Sequence, residues 1–336
     1  MKKPSFTDKA ILAAKKCGDI FTNDTRTAKA EYRELSRKFH PDKYNGDSAV
    51  MARINSLYDK ALHLFSIGEW EKSNQITLVP RAGKATSHNY LSEKPFELGT
   101  FYICDCEVIY ILDSQHEKYY RNAIKRIESL KFASDRMKKE MSRFMPELKF
   151  NYRLKDDRWC MGFKKTEDVF ALEDLLSYFD GEIPPQHSAW IISRLSNICC
   201  YFDYMNIAHN GVSLSNCFVS PKHHTIILLG GWWYCAGQGE RMIGTQKAIY
   251  DVIPVREKGD KTSTIVTDLE SSKLIGRLIL GKKNATTPQA MTKFLQSGSQ
   301  ERAVDEFNKW DSALTEAFGV RKFIELDVAK SDIYKN

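Results

Sequence analysis

The chain has 336 residues, 42% of them hydrophobic and 12% aromatic, which is packed globular material for two or three domains and excludes an intrinsically disordered protein. Fifty Lys and Arg against 43 Asp and Glu leave a formal charge of +7, a mild basic bias well short of a nucleic-acid-binding footprint. The eight cysteines contain no CxxC pair, so neither a zinc ribbon nor a thioredoxin-type motif is present and reduced, mostly buried thiols are expected.

In chain order, the amino-terminal "MKKPSFTDKAILAAKKCGDIF" starts like a secretory leader, but Asp8, Lys9, Lys15 and Lys16 break its apolar stretch. The longest uncharged run, "HHTIILLGGWWYCAGQG", is too short and too glycine-rich to span a bilayer, so a cytoplasmic protein with no membrane partner is expected. Residues 1–70 read as helices. Ala28, Tyr32, Leu35 and Phe39 recur at i, i+4, i+7 and i+11, and Lys29, Arg33 and Arg37 form a second stripe beside them, with Arg26 and Lys38 close by. After Pro41, Asp47 or Ser48 caps a further helix carrying Val50, Ile54, Leu57, Ala61 and Leu64. Two such helices joined by a short polar loop pack antiparallel, with an amphipathic segment at 7–17 available to cover them.

Residues 71–95 are polar and irregular and read as a linker. From Phe96, "FYICDC", "EVIYIL" and "RNAIKRI" are strand-like, "SDRMKKEMSRFM" is helical and "WCMGF" is strand-like again. Beyond Asp168 helices dominate: a long buried one from His187, a small hairpin from "CFVS" and "TIILL", then "TDLESSKLIGRLILG" and "ERAVDEFNKWDSALTEAF". The layout is α+β, with a strand-rich lobe and a helix-rich lobe over 96–325 and a tail at 326–336.

"EYRELSRKFHPDKYNGD" with the following "AVMARINSLYDKALHLF" resembles a J domain of the DnaJ co-chaperone family. The resemblance implies a helical hairpin whose loop presents His40, Pro41 and Asp42 and stimulates ATP hydrolysis by a DnaK-type chaperone. The matching docking surface would be Lys29, Arg33, Arg37 and Lys38. The residue chemistry suits that role. Pro41 biases His40 toward an extended conformation and ends the helix, and Asp42 can offer a carboxylate to a partner arginine. Six Lys and Arg stand against three Asp and Glu in residues 26–43, so the basic character is local. The Gly/Phe-rich stretch and cysteine repeats of full DnaJ proteins are missing, which removes the parts that usually hold unfolded chains.

Residues 96–320 resemble a protein kinase in motif order: "NAIKRI" with Lys125 as the Ala-x-Lys lysine, Glu140 on the next helix, "IAHNGVSLSNCFV" as the catalytic loop, and Asp268 as the buried aspartate of a later helix. Phosphoryl transfer needs a carboxylate to orient the hydroxyl and a carboxylate with an asparagine to hold magnesium. Asn216 survives, but Gly211 stands where the aspartate base belongs, and Gly230 and Gly231 where the magnesium motif starts. One glycine, Gly99, stands where a phosphate-covering loop carries two or three. The resemblance therefore implies a pseudokinase used to bind a protein client, with Lys125, Glu140 and Asn216 as a vestigial nucleotide site and no ATP, other cofactor or metal expected. The competing reading is a divergent active kinase drawing on Asp203, Asp251 or Asp260. Cys104 and Cys106 are expected to share one strand face, His223 and His224 to form an exposed turn pair, and Trp232 and Trp233 to mark either an interface or the core.

Overall fold

The computed structural model describes residues 6–14, 16–22, 24–40, 48–67, 74–281, 286–320 and 322–334. The chain divides into two compact units, residues 1–78 with 86–90, and residues 79–85 with 91–336.

The first unit is helical. Helix α1 spans Asp8–Ala13, α2 Thr25–Phe39 and α3 Ser48–Ser66. Asp24 caps α2 by accepting the Thr27 amide at 2.7 Å, which satisfies one of the amides a helix start leaves free. At the other end His40, which precedes Pro41 in the sequence, has left the helix with φ −59° and ψ 133°. The apolar stripes meet as read: Ala28, Leu35 and Phe39 of α2 and Val50, Ile54, Leu57 and Ala61 of α3 form one core with Ile11, Ile20 and Phe21. Tyr32 stacks on Tyr58 at 4.0 Å and donates to Asn55 at 3.0 Å, fixing the two helices against each other at mid-length.

Within the segment read as an irregular linker, residues 75–78 and 86–95 are strand. β1 (Gln75–Leu78) pairs antiparallel with the first residues of β2 (Thr86–Phe96). Only Tyr90 of β2 is buried, so an exposed strand supplies little apolar alternation for a sequence reading to detect.

In the second unit the strand-rich lobe is an antiparallel sheet in the order β2–β3–β4–β6–β5, with β3 Gly99–Cys104, β4 Glu107–Leu112, β5 Leu148–Arg153 and β6 Trp159–Lys164. β4 is central and buried along its whole length. At Gly99, φ is +155° and a Cβ would run into the Ile111 carbonyl, so the close pairing of β3 and β4 requires glycine. The run "RNAIKRI" is not a strand: it lies in α4 (Glu117–Glu128), because Tyr120, Ala123 and Ile127 bury one face at helical spacing. Helix α5 (Asp135–Met141) follows.

The helical lobe opens with the short strand β7 (Phe170–Ala171) and α6 (Leu172–Tyr178), then the long buried α7 (Pro185–Tyr204). Two small ladders frame the loops beyond it. β8 (Ile207–Ala208) pairs with β11 (Ala236–Gly237), and β9 (Cys217–Ser220) with β10 (Thr225–Leu228) and β7. Helices α8 (Val255–Asp260), α9 (Ile265–Leu280), α10 (Gln289–Gln296), α11 (Ala303–Phe318) and α12 (Lys330–Ile333) complete the lobe. In the tail, Tyr334 is buried and meets Phe170 edge-on, and its hydroxyl oxygen accepts the Ala171 amide at 3.3 Å. A sheet lobe followed by a helical lobe around one continuous core is a bilobal, protein-kinase-like α+β arrangement.

The helical lobe also contains a buried ion pair. Lys273 of α9 and Glu306 of α11 meet at 2.7 Å, both nearly inaccessible, and Lys273 donates further to the Ser297 carbonyl at 2.9 Å. Those added contacts meet the condition on which a buried pair is tolerated.

Candidate functional site

Two regions carry the residues singled out by sequence, one in each unit. In the first, Lys29, Arg33 and Arg37 are all exposed and lie at i, i+4 and i+8 along α2, beside the buried Ala28, Leu35 and Phe39. None of the three meets a carboxylate among the described residues. Lys38 sits apart from the stripe, donating to the Phe6 carbonyl at 2.9 Å and lying 4.9 Å from the centre of the Phe39 ring. It holds the preceding segment to α2. His40 is exposed at the helix end, while Pro41 and Asp42 lie outside the described residues.

In the second unit the loop after α7 is built around Asp268. This aspartate of α9 is fully buried, and its two oxygens accept the amides of His209 at 2.6 Å and Asn210 at 2.9 Å. Burial raises its carboxyl to about 7, with the two amides opposing the shift. Asn210 takes a left-handed conformation, φ +57°, and its side-chain amide reaches the Tyr234 carbonyl at 3.2 Å and Ser263 Oγ at 3.0 Å. The His209 ring stacks on Phe202 and meets Trp232 edge-on at 4.9 Å, with no hydrogen-bond partner for either nitrogen among the described residues. Burial lowers its pKa to about 3, so the ring is a neutral packing group.

Gly211, Gly230 and Gly231, the glycines that the kinase resemblance sets at the carboxylate and magnesium positions, pack against one another and their neighbours. A Cβ on Gly211 would lie 3.0 Å from the Gly231 Cα. On Gly230 it would run into Asn216 Oδ1 and come within 2.7 Å of the Tyr110 hydroxyl. On Gly231, where φ is +84°, it would meet His209 Cε1 at 2.5 Å. A side chain at these positions needs the surrounding residues to move. Asn216 is a brace: its amide donates to the Gly211 carbonyl at 2.8 Å and to Gln246 Oε1 at 3.0 Å.

Aromatic side chains close the ground in front of these glycines. β4, the strand before α4, brings Tyr110, not a lysine, to Gly230. Tyr110 meets Trp233 edge-on at 5.2 Å, and Phe96 packs on both, 5.5 Å from Tyr110 and 5.0 Å from Trp233. Trp232 and Trp233 are both core residues. Helix α4 secures this segment from outside, because Asn122 donates to the Trp233 and Cys235 carbonyls at 3.1 and 2.9 Å. Arg126 adds an ion pair to Glu240 at 2.7 Å. Tyr110 was not singled out from sequence, and Trp233 was read only as interface or core; nothing local to "EVIYIL" or "GGWWY" says that these residues, 123 positions apart, meet.

Lys125 and Glu140 are not brought together. Lys125 is exposed on α4, and Glu140 is exposed on α5 and pairs with Arg136 at 3.1 Å. The carboxylates of the competing reading are elsewhere engaged or exposed. Asp203 accepts Arg302 Nε at 2.9 Å and the Ala303 amide at 3.1 Å, Asp251 lies on the surface, and Asp260 sits 4.0 Å from Arg256.

Two smaller expectations are corrected. Cys104 ends β3 and is buried, its thiol pushed up to about 12 by desolvation, whereas Cys106 is exposed in the turn beyond, so the two do not share a strand face. His223 is exposed, but His224 is buried at φ +45°, stacked between Trp190 at 4.6 Å and Phe323 at 4.2 Å. No group of His, Cys, Asp and Glu able to hold a metal occurs among the described residues, and no described helix is long and apolar enough to cross a membrane. Neither a protein-family model nor a curated protein matches the sequence.

Proposed function

We propose that this chain is an adaptor co-chaperone: its amino-terminal J domain recruits a DnaK-type chaperone and stimulates its ATPase, and its kinase-like unit binds a protein client without catalysis. The observation that carries the first half is the α2 surface. Three exposed cations at i, i+4 and i+8, none matched by a carboxylate among the described residues, run toward the helix end at His40, just ahead of Pro41 and Asp42 in the sequence. Such a stripe suits an acidic partner surface, raising the association rate and fixing orientation. Asp42 supplies the carboxylate for a charge-assisted contact with a partner arginine.

The second half is supported by the closed glycine cluster and by Tyr110 and Trp233 in front of it. Glycine side chains can neither hold magnesium nor orient a hydroxyl, and the packing around Gly211, Gly230 and Gly231 leaves no room for the missing groups. A client held on this unit sees a high effective concentration of the tethered chaperone, so modest affinity in each module suffices.

Capture of an ATP-loaded DnaK-type chaperone on the immobilised full chain tests the recruitment step. Binding that survives His40→Gln and Arg33→Glu unchanged would remove the J-domain reading.

A further inference from the structure

We propose that the cavity between α5 and α7 is a binding site for a phosphate monoester carried on an apolar or aromatic group, with Arg143 and Arg194 as its two anion-holding groups. The inference is independent of the chaperone reading. The cavity holds about 570 Å³ and is lined by residues of α5, of α7 and of the turn at 142–144 that follows α5.

Its electrostatics are unbalanced. Arg143 lies 4.7 Å and Arg194 6.0 Å from the centre of the same buried ring, Phe144, so two guanidinium groups converge from two elements. Arg194 is half-buried, and its one described hydrogen bond runs from Nε to the His224 carbonyl at 2.9 Å, which leaves the outer edge of the guanidinium uncommitted. Neither arginine meets a carboxylate among the described residues. The third cation on the wall, Arg136, is matched by Glu140. Two positive charges are therefore left over. Burial lowers the pKa of Arg194, and Arg143 lowers it further, the signature of like charges held close in a partly dry site.

Such a pair is stabilised by an anion between its members, and two planar forks suit the three oxygens of a phosphate dianion better than a single carboxylate. The rest of the wall sets what carries the phosphate. Met137, Met141, Phe144 and Tyr201 give the wall its apolar part beside Ser134, Asn197 and Cys200, and the cavity is far larger than inorganic phosphate fills.

Calorimetric titration of the full chain with phenyl phosphate at low salt tests the site. Saturable binding is expected, weakened about tenfold or more in Arg143→Gln, which removes an exposed side chain. Arg194→Lys keeps the charge but loses the fork, and it too should weaken binding. Arg136→Gln, already matched by Glu140, should change it by less than about twofold. Absence of saturable heat up to about 10 mM ligand, or equal binding by wild type and Arg143→Gln, overturns the proposal. Equal affinity for phenyl sulfate overturns the dianion assignment, and equal affinity for inorganic phosphate overturns the apolar half of the site.

Discussion

Asp268 of α9 accepts the backbone amide of His209 at 2.6 Å, and this bond suspends the whole loop of residues 207–216 from a helix of the core. Asp268→Ala leaves that amide and the Asn210 amide buried without an acceptor. A loss of about 1–3 kcal/mol per orphaned donor is expected, read by urea unfolding with unchanged slope.

The same carboxyl shapes the pH dependence. Its folded pKa, about 7, lies above the ordinary 3.8, so between about 4 and 7 the folded state binds the extra proton. Its contribution is fully present below the unfolded pKa and is lost as pH rises through about 7. His209 acts oppositely: with a folded pKa of about 3 against 6.5, it is protonated more readily when unfolded, and its contribution is lost as pH falls below 6.5. Wild type therefore balances the two. Asp268→Asn removes one side, and its stability should fall relative to wild type by up to about 1.4 kcal/mol per pH unit on acidification from 7 to 5. Parallel stability curves for the two proteins would contradict the assignment.

Placing carboxylates at Gly230 and Gly211, where the kinase resemblance would put them, should fail. Gly230→Asp brings a side chain into Asn216 and the Tyr110 hydroxyl, and Gly211→Asp presses on Gly231. Overpacking of this kind costs about 1–3 kcal/mol or more. The double variant should be destabilised and transfer no label from radioactive ATP with magnesium or manganese, and label transfer abolished by Lys125→Ala would instead favour an active kinase.

Trp233 fills the cleft against Phe96 and Tyr110, and truncation there leaves a large void. Trp233→Ala should cost about 3–5 kcal/mol in chemical denaturation. A loss below about 1 kcal/mol would show that the cleft is not held shut by this ring.

The helical hairpin was legible in the sequence because α2 and α3 each bury one stripe at helical spacing, and the α+β layout of a strand-rich lobe before a helix-rich one was legible from the change of pattern beyond Asp168. Lys125 misled: its Ala-x-Lys setting suggested a strand, although Tyr120, Ala123 and Ile127 carried the helical period. Strands β1 and β2 escaped detection because their outward faces are polar and exposed. Tyr110 and Trp233 meet only through the folded lobes, so Tyr110 did not stand out and Trp233 stood out without its partner. His40 to Asp47 owes its reading to sequence, since all of it beyond His40 lies outside the described residues.

The α2 stripe predicts a charge effect on the partner. Arg33→Glu reverses the central cation of the row and should lower chaperone stimulation about tenfold, and wild-type stimulation should weaken as salt rises. A stimulation insensitive to both would place docking elsewhere.

Single-turnover ATP hydrolysis by a DnaK-type chaperone, with the wild-type chain and with Asp42→Asn, decides whether residues 40–42 drive a partner's ATPase. Clear acceleration by wild type is expected, and none above the chaperone's basal rate with Asp42→Asn. Equal acceleration by both, or none by either, would contradict the J-domain reading.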